Sequence, residues 1–147
     1  MKSCTFFGHA DTPQDIEKIL RGVIEQLIED KVECFYVGVE GNFDRLCYKV
    51  LKDLQMRFCN IKVYRVLAYM PKQDELSRDS VLPENIEKVP KRVAIAWRNR
   101  WMIDRCQYVV TYINRIVGGA YKFESLAKNK GLNVINVADM SFFANIN

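Results

Sequence analysis

The residues best suited to chemistry in this sequence are two glycine-bearing turns, an acidic corner and an arginine set beside an apolar stripe. Gly118-Gly119-Ala120 stands between a strand-like run and a helical one. Glycine permits close backbone approach, and a helix amino terminus offers free amide donors and the positive end of a dipole, so a phosphate suits this place. A plain flexible turn is the alternative. Gly8-His9 ends the first apolar run; a histidine here contacts a ligand phosphate or ribose, or else hydrogen-bonds its own loop. Gly38 ends the second run and leads into Glu40-Gly41-Asn42-Phe43-Asp44. Carboxylates such as Glu40 and Asp44 accept the paired hydroxyls of a ribose, the requirement after a second strand in a dinucleotide-type fold. Helix capping by Asn42 and Asp44 is the competing use. Arg98 is flanked at helical spacing by Ala94, Ile95, Trp101 and Met102, a setting that asks for an anionic partner. Glu124 falls one turn into the helix after Gly118-Gly119, pointing either back to cap the helix or into the same pocket. As a catalytic acid or nucleophile it needs Arg98 nearby to orient a substrate, and spacing alone does not join the two.

The elements that must position these residues repeat a simple unit. Cys4 to His9 is an apolar run; Thr12-Pro13 then marks a helix start, with Thr12 as the expected cap. Ile16, Ile19, Leu20, Val23, Leu27 and Ile28 follow at three-and-four spacing. The unit recurs as Cys34 to Gly38 with a helix on Phe43, Leu46, Cys47, Val50, Leu51 and Leu54. A third strand is expected over Ile61 to Tyr69, with a helix over Val93 to Met102, and a fourth at Tyr108 to Tyr112, with a helix on Phe123, Leu126 and Ala127. A fifth strand is expected at Leu132 to Val137. Apolar strands alternating with helices predict an α/β, Rossmann-like doubly wound sheet of about five mostly parallel strands, covered on both faces. Ligands in such sheets sit outside the carboxyl ends of the strands, where strand order reverses. The charged stretch from Pro71 to Pro90 is the one long connection, read as a lid, a plain insertion or a hidden short helix.

Length and composition bound the rest. The 147 residues, about half of them apolar, fit one domain over 1–147 with its own core. Neither a leader peptide nor a membrane span is legible, so a cytoplasmic protein with no membrane partner is expected. The five cysteines, Cys4, Cys34, Cys47, Cys59 and Cys106, contain no C-x-x-C pair and read as reduced packing residues. One histidine rules out a His-rich metal site, and no metal or cofactor is expected. The net charge of +4 is dispersed, so nucleic acid is not expected as a partner. Tyr48, Trp97 and Trp101, read as lying on exposed helix faces among charges, suggest a homo-oligomeric interface, with wholly internal packing as the alternative.

Taken together, Phe7-Gly8-His9, the Tyr36-Val37-Gly38 corner with Gly41-Asn42-Phe43-Asp44, the Arg98-Asn99-Arg100-Trp101-Met102 helix and the Gly118-Gly119-Ala120 turn resemble the SLOG superfamily. This Rossmann-like group joins the LOG or lysine-decarboxylase-like phosphoribohydrolases, the DprA-type DNA-processing proteins and many small bacterial proteins. The resemblance spans nearly the whole chain and is closest to small single-domain bacterial or phage members. In the phosphoribohydrolases an Arg-Lys-x-x-Met helix and a Pro-Gly-Gly-x-Gly-Thr-x-Glu-Glu turn supply an arginine and a glutamate for cleavage of the base-ribose bond. Arg98 and Met102 match the first motif, with Asn99 in place of lysine; Gly118, Gly119 and Glu124 match the second, while Val117, Tyr121, Lys122 and Ser125 depart from it.

The expectation that follows is a binding or sensing domain for a nucleotide or nucleotide derivative. Its ligand contacts are Gly8, His9, Gly38, Glu40, Gly41, Asp44, Arg98, Asn99, Gly118, Gly119 and Ala120. The enzymatic alternative is hydrolysis of an N-glycosidic bond in a nucleoside monophosphate, with Arg98 and Glu124 catalytic. A DprA-like single-strand DNA module ranks third, because it needs a basic and aromatic groove.

Overall fold

The computed structural model describes residues 1–72 and 78–140. Among the described residues six strands, β1 (Lys2–Gly8), β2 (Val32–Val37), β3 (Lys62–Val66), β4 (Ser80–Val81), β5 (Tyr108–Tyr112) and β6 (Asn133–Asn136), form one sheet in the order β4-β3-β2-β1-β5-β6. Every neighbouring pair is parallel. The helices are α1 (Glu17–Glu29), α2 (Gly41–Gln55), α3 (Lys91–Asp104) and α4 (Gly119–Asn129). Strand order runs outward from β1 in both directions, so the reversal lies between β1 and β5, where Phe7 pairs with Thr111 and Gly8 with Tyr112.

Alternation along β1 explains the two covered faces. Phe6 packs among residues of α1 and α2, such as Leu20, Ile24, Phe43 and Leu51. Phe7 points the other way and joins Met102 and Ile103 of α3 and Phe123 and Ala127 of α4. Along the central strands β1 and β5 neither face is left for water, which is why they lack polar alternation. Cys4, Cys34, Cys47 and Cys106 are buried free thiols, and Cys59 is an exposed one; burial pushes the Cys4, Cys47 and Cys106 thiols up.

Three sequence expectations change in detail. The sheet has six strands because the Pro71 to Pro90 connection contributes β4, paired to β3 through Arg65–Ser80 and Val66–Val81. That connection also carries a short 3-10 turn, Ile86–Lys88, and its residues 73–77 lie outside those described. Thr12 does not cap a helix: it is buried, and its hydroxyl donates back to the His9 carbonyl at 2.5 Å. The helical run begins instead with the 3-10 turn Gln14–Ile16 after Pro13. Finally, Tyr48, Trp97 and Trp101 are half-buried and spend their surface internally. The Tyr48 hydroxyl donates to Asp79 at 2.7 Å, Trp97 packs against the Ala68–Ile86–Ala94 cluster, and Trp101 meets Tyr36 edge-on at 5.7 Å. The apolar side chains that α3 does leave exposed are Val93 and Ile95.

Candidate functional site

The carboxyl ends of β1 and β2 are held open by two glycines for steric reasons. A Cβ on Gly8 would lie 2.2 Å from Phe43 Cγ, so the first turn of α2 packs on the end of β1 only because that atom is missing. A Cβ on Gly38 would lie 2.8 Å from Asp44 Oδ2 and 3.3 Å from Arg98 Cζ. Gly38 is therefore the gap through which an α2 carboxylate and the α3 arginine approach each other. Gly41 takes a positive φ of 81° and presses on Ala10, and the Asn42 N–H donates to the Ala10 carbonyl at 2.9 Å. This ties the β1–α1 loop to the start of α2.

Arg98 is 1% exposed, and a buried cation needs both hydrogen bonds and a counter-charge. Its Nε donates to Asn99 Oδ1 at 2.9 Å and its Nη1 to the Val66 carbonyl at 2.8 Å. Its Nη2 donates to Glu40 Oε1 in an ion pair. The anionic partner that the apolar setting of Arg98 demanded is thus the acidic corner after β2. Asp44 sits beside them, its Oδ2 accepting the Glu40 N–H at 2.9 Å. Burial pushes its carboxyl up to about 7, with nearby Glu40 adding to the rise and the Glu40 N–H and Arg98 opposing it.

Across the crevice α4 begins at Gly118, which adopts φ 97° and supplies no side-chain cap. The first amides of a helix have no intrahelical partner, and a Cβ on Gly118 or Gly119 would meet nothing within 4 Å. The start of α4 is consequently bare. Gly119 and Ala120 face Gly8, Gly38, Glu40 and Arg98 in a recess of about 180 Å³ that also includes Asp44 and Asn99. A second recess of about 460 Å³, next to it, takes in His9, Arg115 and Gly118 together with Gly8, Glu40, Gly119 and Ala120.

His9 is buried and tied to its own surroundings. Its backbone N–H donates to the Tyr112 carbonyl at 3.4 Å, and its ring Nε2 accepts the Asn114 backbone N–H at 3.3 Å, a bond that needs Nε2 unprotonated. Burial and then Arg115 lower its pKa, against Asp11 and Glu124. At the rim Arg115 pairs with both oxygens of Asp11, at 2.9 and 3.3 Å, bridging the β1–α1 and β5–α4 loops. The Arg115 hydrogen bond draws the Asp11 carboxyl below its ordinary range.

Of the residues singled out in the sequence, Gly8, Gly38, Glu40, Asp44, Arg98, Asn99, Gly119 and Ala120 come together in the smaller recess, and His9 and Gly118 join at the larger one. Gly41 supports the loop beneath. Glu124 is not brought to Arg98: it lines neither recess, is 4% exposed, and accepts the Thr111 hydroxyl at 2.5 Å and Lys128 Nζ at 3.4 Å. Sequence reasoning missed Arg115, whose signal was a basic residue three positions before the glycine turn. Two larger depressions lie elsewhere. One, of about 540 Å³, runs between α1 and β6 past Ile19, Val23, Ile135 and Met140; the other, of about 510 Å³, lies by Tyr69, Met70 and Ile86. Neither gathers the convergent charged groups of the crevice. Among the described residues no group of three or more His, Cys, Asp or Glu side chains is placed to hold a metal ion, and no helix is long and apolar enough to cross a membrane.

The geometry places the chain among α/β proteins with a Rossmann-like parallel sheet and a polar crevice at its reversal point. No family model matches the sequence, and no curated protein matches it. Among solved structures it is similar to DNA processing protein A (DprA) from Streptococcus pneumoniae, with a TM-score of 0.67 and 17% identity over 91% of this chain. The chain spans about half the length of that protein, 49% of it. At this identity the likeness is one of fold.

Proposed function

We propose that the crevice between β1 and β5 binds a nucleotide or nucleotide derivative, with the bare start of α4 taking phosphate and the Glu40–Asp44 corner meeting hydroxyls. The observation that carries this reading is the meeting, in one recess, of uncapped α4 amides at Gly119 and Ala120 with the buried Arg98, its ion-pair partner Glu40 and the neighbouring Asp44. Amides at a helix start favour anions, and carboxylates after the second strand of a doubly wound sheet favour a ribose diol. Binding without turnover is the simpler form of the reading, because Glu124 is engaged with Thr111 outside the recess. We place this activity in the cytoplasm, where reducing conditions suit five free thiols.

The test is a thermal-shift panel of mononucleotides, NAD and ADP-ribose on the wild type and Arg98→Ala, with chromatography of every incubated ligand. A ligand present at about 100 times its Kd adds about 2.7 kcal/mol to stability, a shift well above noise. A stabilising ligand recovered intact, with the shift lost in the variant, supports a binding module. Release of free base makes the protein a phosphoribohydrolase-like enzyme. No shift with any nucleotide removes the reading.

A second reading, single-strand DNA binding, takes its support from the likeness in fold to a DNA-processing protein. Its test is single-strand binding that weakens steeply as salt rises.

A further inference from the structure

Glu40 belongs to both recesses of the crevice and holds the one nitrogen of Arg98 that no fixed group holds. Arg98 Nε and Nη1 donate to Asn99 and to the Val66 carbonyl, acceptors set by α3 and by β3. Nη2 donates to Glu40, whose side chain is 40% exposed. The backbone beneath that side chain is anchored, because Asp44 accepts the Glu40 N–H. The Glu40 carboxylate can therefore rotate away while its main chain and the guanidinium stay in place.

The two recesses have Gly8, Glu40, Gly119 and Ala120 in common. The smaller, at about 180 Å³, lies below the range of roughly 300–1,000 Å³ usual for ligand sites. Glu40 is the long, partly exposed side chain on their common wall. Moving it aside would open the smaller recess to the larger and uncover Arg98 Nη2 toward the start of α4.

We infer that Glu40 is a displaceable internal anion, holding the position at Arg98 that a phosphoryl oxygen of the ligand takes over. The inference rests on reading the crevice as an anion site. Its physical basis is exchange: a cation as buried as Arg98 is not left without a counter-charge, so Glu40 departs only as another anion arrives. Asp44 stays in place through the exchange, its Oδ2 held by the Glu40 N–H beside Gly38. Once released, the Glu40 carboxylate is free to accept ligand hydroxyls. The site thereby selects ligands carrying both a phosphoryl group and a diol over anions that offer charge alone.

The experiment uses inorganic pyrophosphate, which has no hydroxyl for Glu40 to gain, titrated calorimetrically into wild type, Glu40→Gln, Glu40→Asp and the Glu40→Gln/Arg98→Lys double variant. Thermal denaturation accompanies each titration. Glu40→Gln is expected to bind pyrophosphate about tenfold more tightly than wild type, the factor carried by one charge-assisted hydrogen bond. Its melting temperature, lowered without the anion, is restored by it. Glu40→Asp, one methylene short of Arg98, falls between the two and guards against a folding defect in the glutamine variant. The gain disappears in the double variant; a gain that survives there is a general effect of removing negative charge and overturns the exchange. Unchanged or weaker pyrophosphate binding in both single variants, with wild type binding nucleotides, also overturns it but leaves the nucleotide site standing. No binding of pyrophosphate or nucleotide by any of the proteins overturns both.

Discussion

The Thr111 hydroxyl donates to Glu124 Oε2 at 2.5 Å in the interior, joining the last turn of sheet pairing at the crevice to the body of α4. The contact makes Glu124 a positioning residue for the helix whose start forms one wall of the site. Thr111→Val leaves a buried carboxylate one partner short and is expected to cost about 1–3 kcal/mol. Glu124→Ala adds a cavity and costs about 2–4 kcal/mol, whereas Glu124→Gln keeps an acceptor and costs less than either. Urea denaturation orders the three. An alanine variant as stable as wild type contradicts the structural role.

The βα order, both apolar faces and the glycine corners were legible because each has a local signature. Phe6 and Phe7 are adjacent apolar residues in β1 and must serve two faces, while Gly8 and Gly38 end strands. Arg98 announced a partner through its apolar neighbours, but the identity of that partner, 58 positions away at Glu40, depends on strand order, which spacing does not encode. The place of Glu124 was open for the same reason: one helical turn after Gly118-Gly119 fits a cap or the recess by spacing, and its hydrogen bond from Thr111 of β5 is a contact that spacing does not encode. The two-residue β4 is too short to leave a hydrophobic pattern. Thr12 fits a cap by type, yet folds back on His9 because the loop is tethered through Asn42 to α2.

Histidine 9 is expected to make stability fall in acid. Its folded pKa is lowered, burial being the main cause, so below about 6.5, the ordinary value, the unfolded chain binds the proton more readily. Stability is constant above that value and is lost as pH falls through it toward the folded pKa. Protonation also removes the acceptor of the Asn114 N–H. His9→Gln abolishes this part of the slope, read by urea midpoints at pH 7.5 and 5.5; equal slopes for variant and wild type refute the assignment.

Asp44 works in the opposite direction. Its folded pKa is pushed up to about 7, above the ordinary aspartate value of about 3.9, so the unfolded chain ionises first as pH rises. Stability is highest at or below about pH 4 on this account and is lost as pH rises through about 7. Asp44→Asn retains an acceptor for the Glu40 N–H and removes the charge, so its stability is expected to lose that decline. The double variant with His9→Gln is then the flattest of the set between pH 5 and 8. A decline undiminished in Asp44→Asn assigns it to another group.

Gly8 and Gly119 are both crevice glycines, yet alanine is expected to act on them in opposite ways. At Gly8 the added methyl falls 2.2 Å from Phe43 Cγ, and Phe43 is itself a buried member of the core. Overpacking of this kind costs about 1–3 kcal/mol. At Gly119 the methyl meets nothing within 4 Å and lies in the first turn of α4, where alanine raises stability by about 0.4–1 kcal/mol through the unfolded chain. Gly119 itself lines both recesses, so Gly119→Ala is expected to melt no lower than wild type while binding phosphate-bearing ligands more weakly. Melting curves beside ligand titrations separate the two effects. Unchanged affinity in a stable Gly119→Ala protein means the anion does not sit at the start of α4.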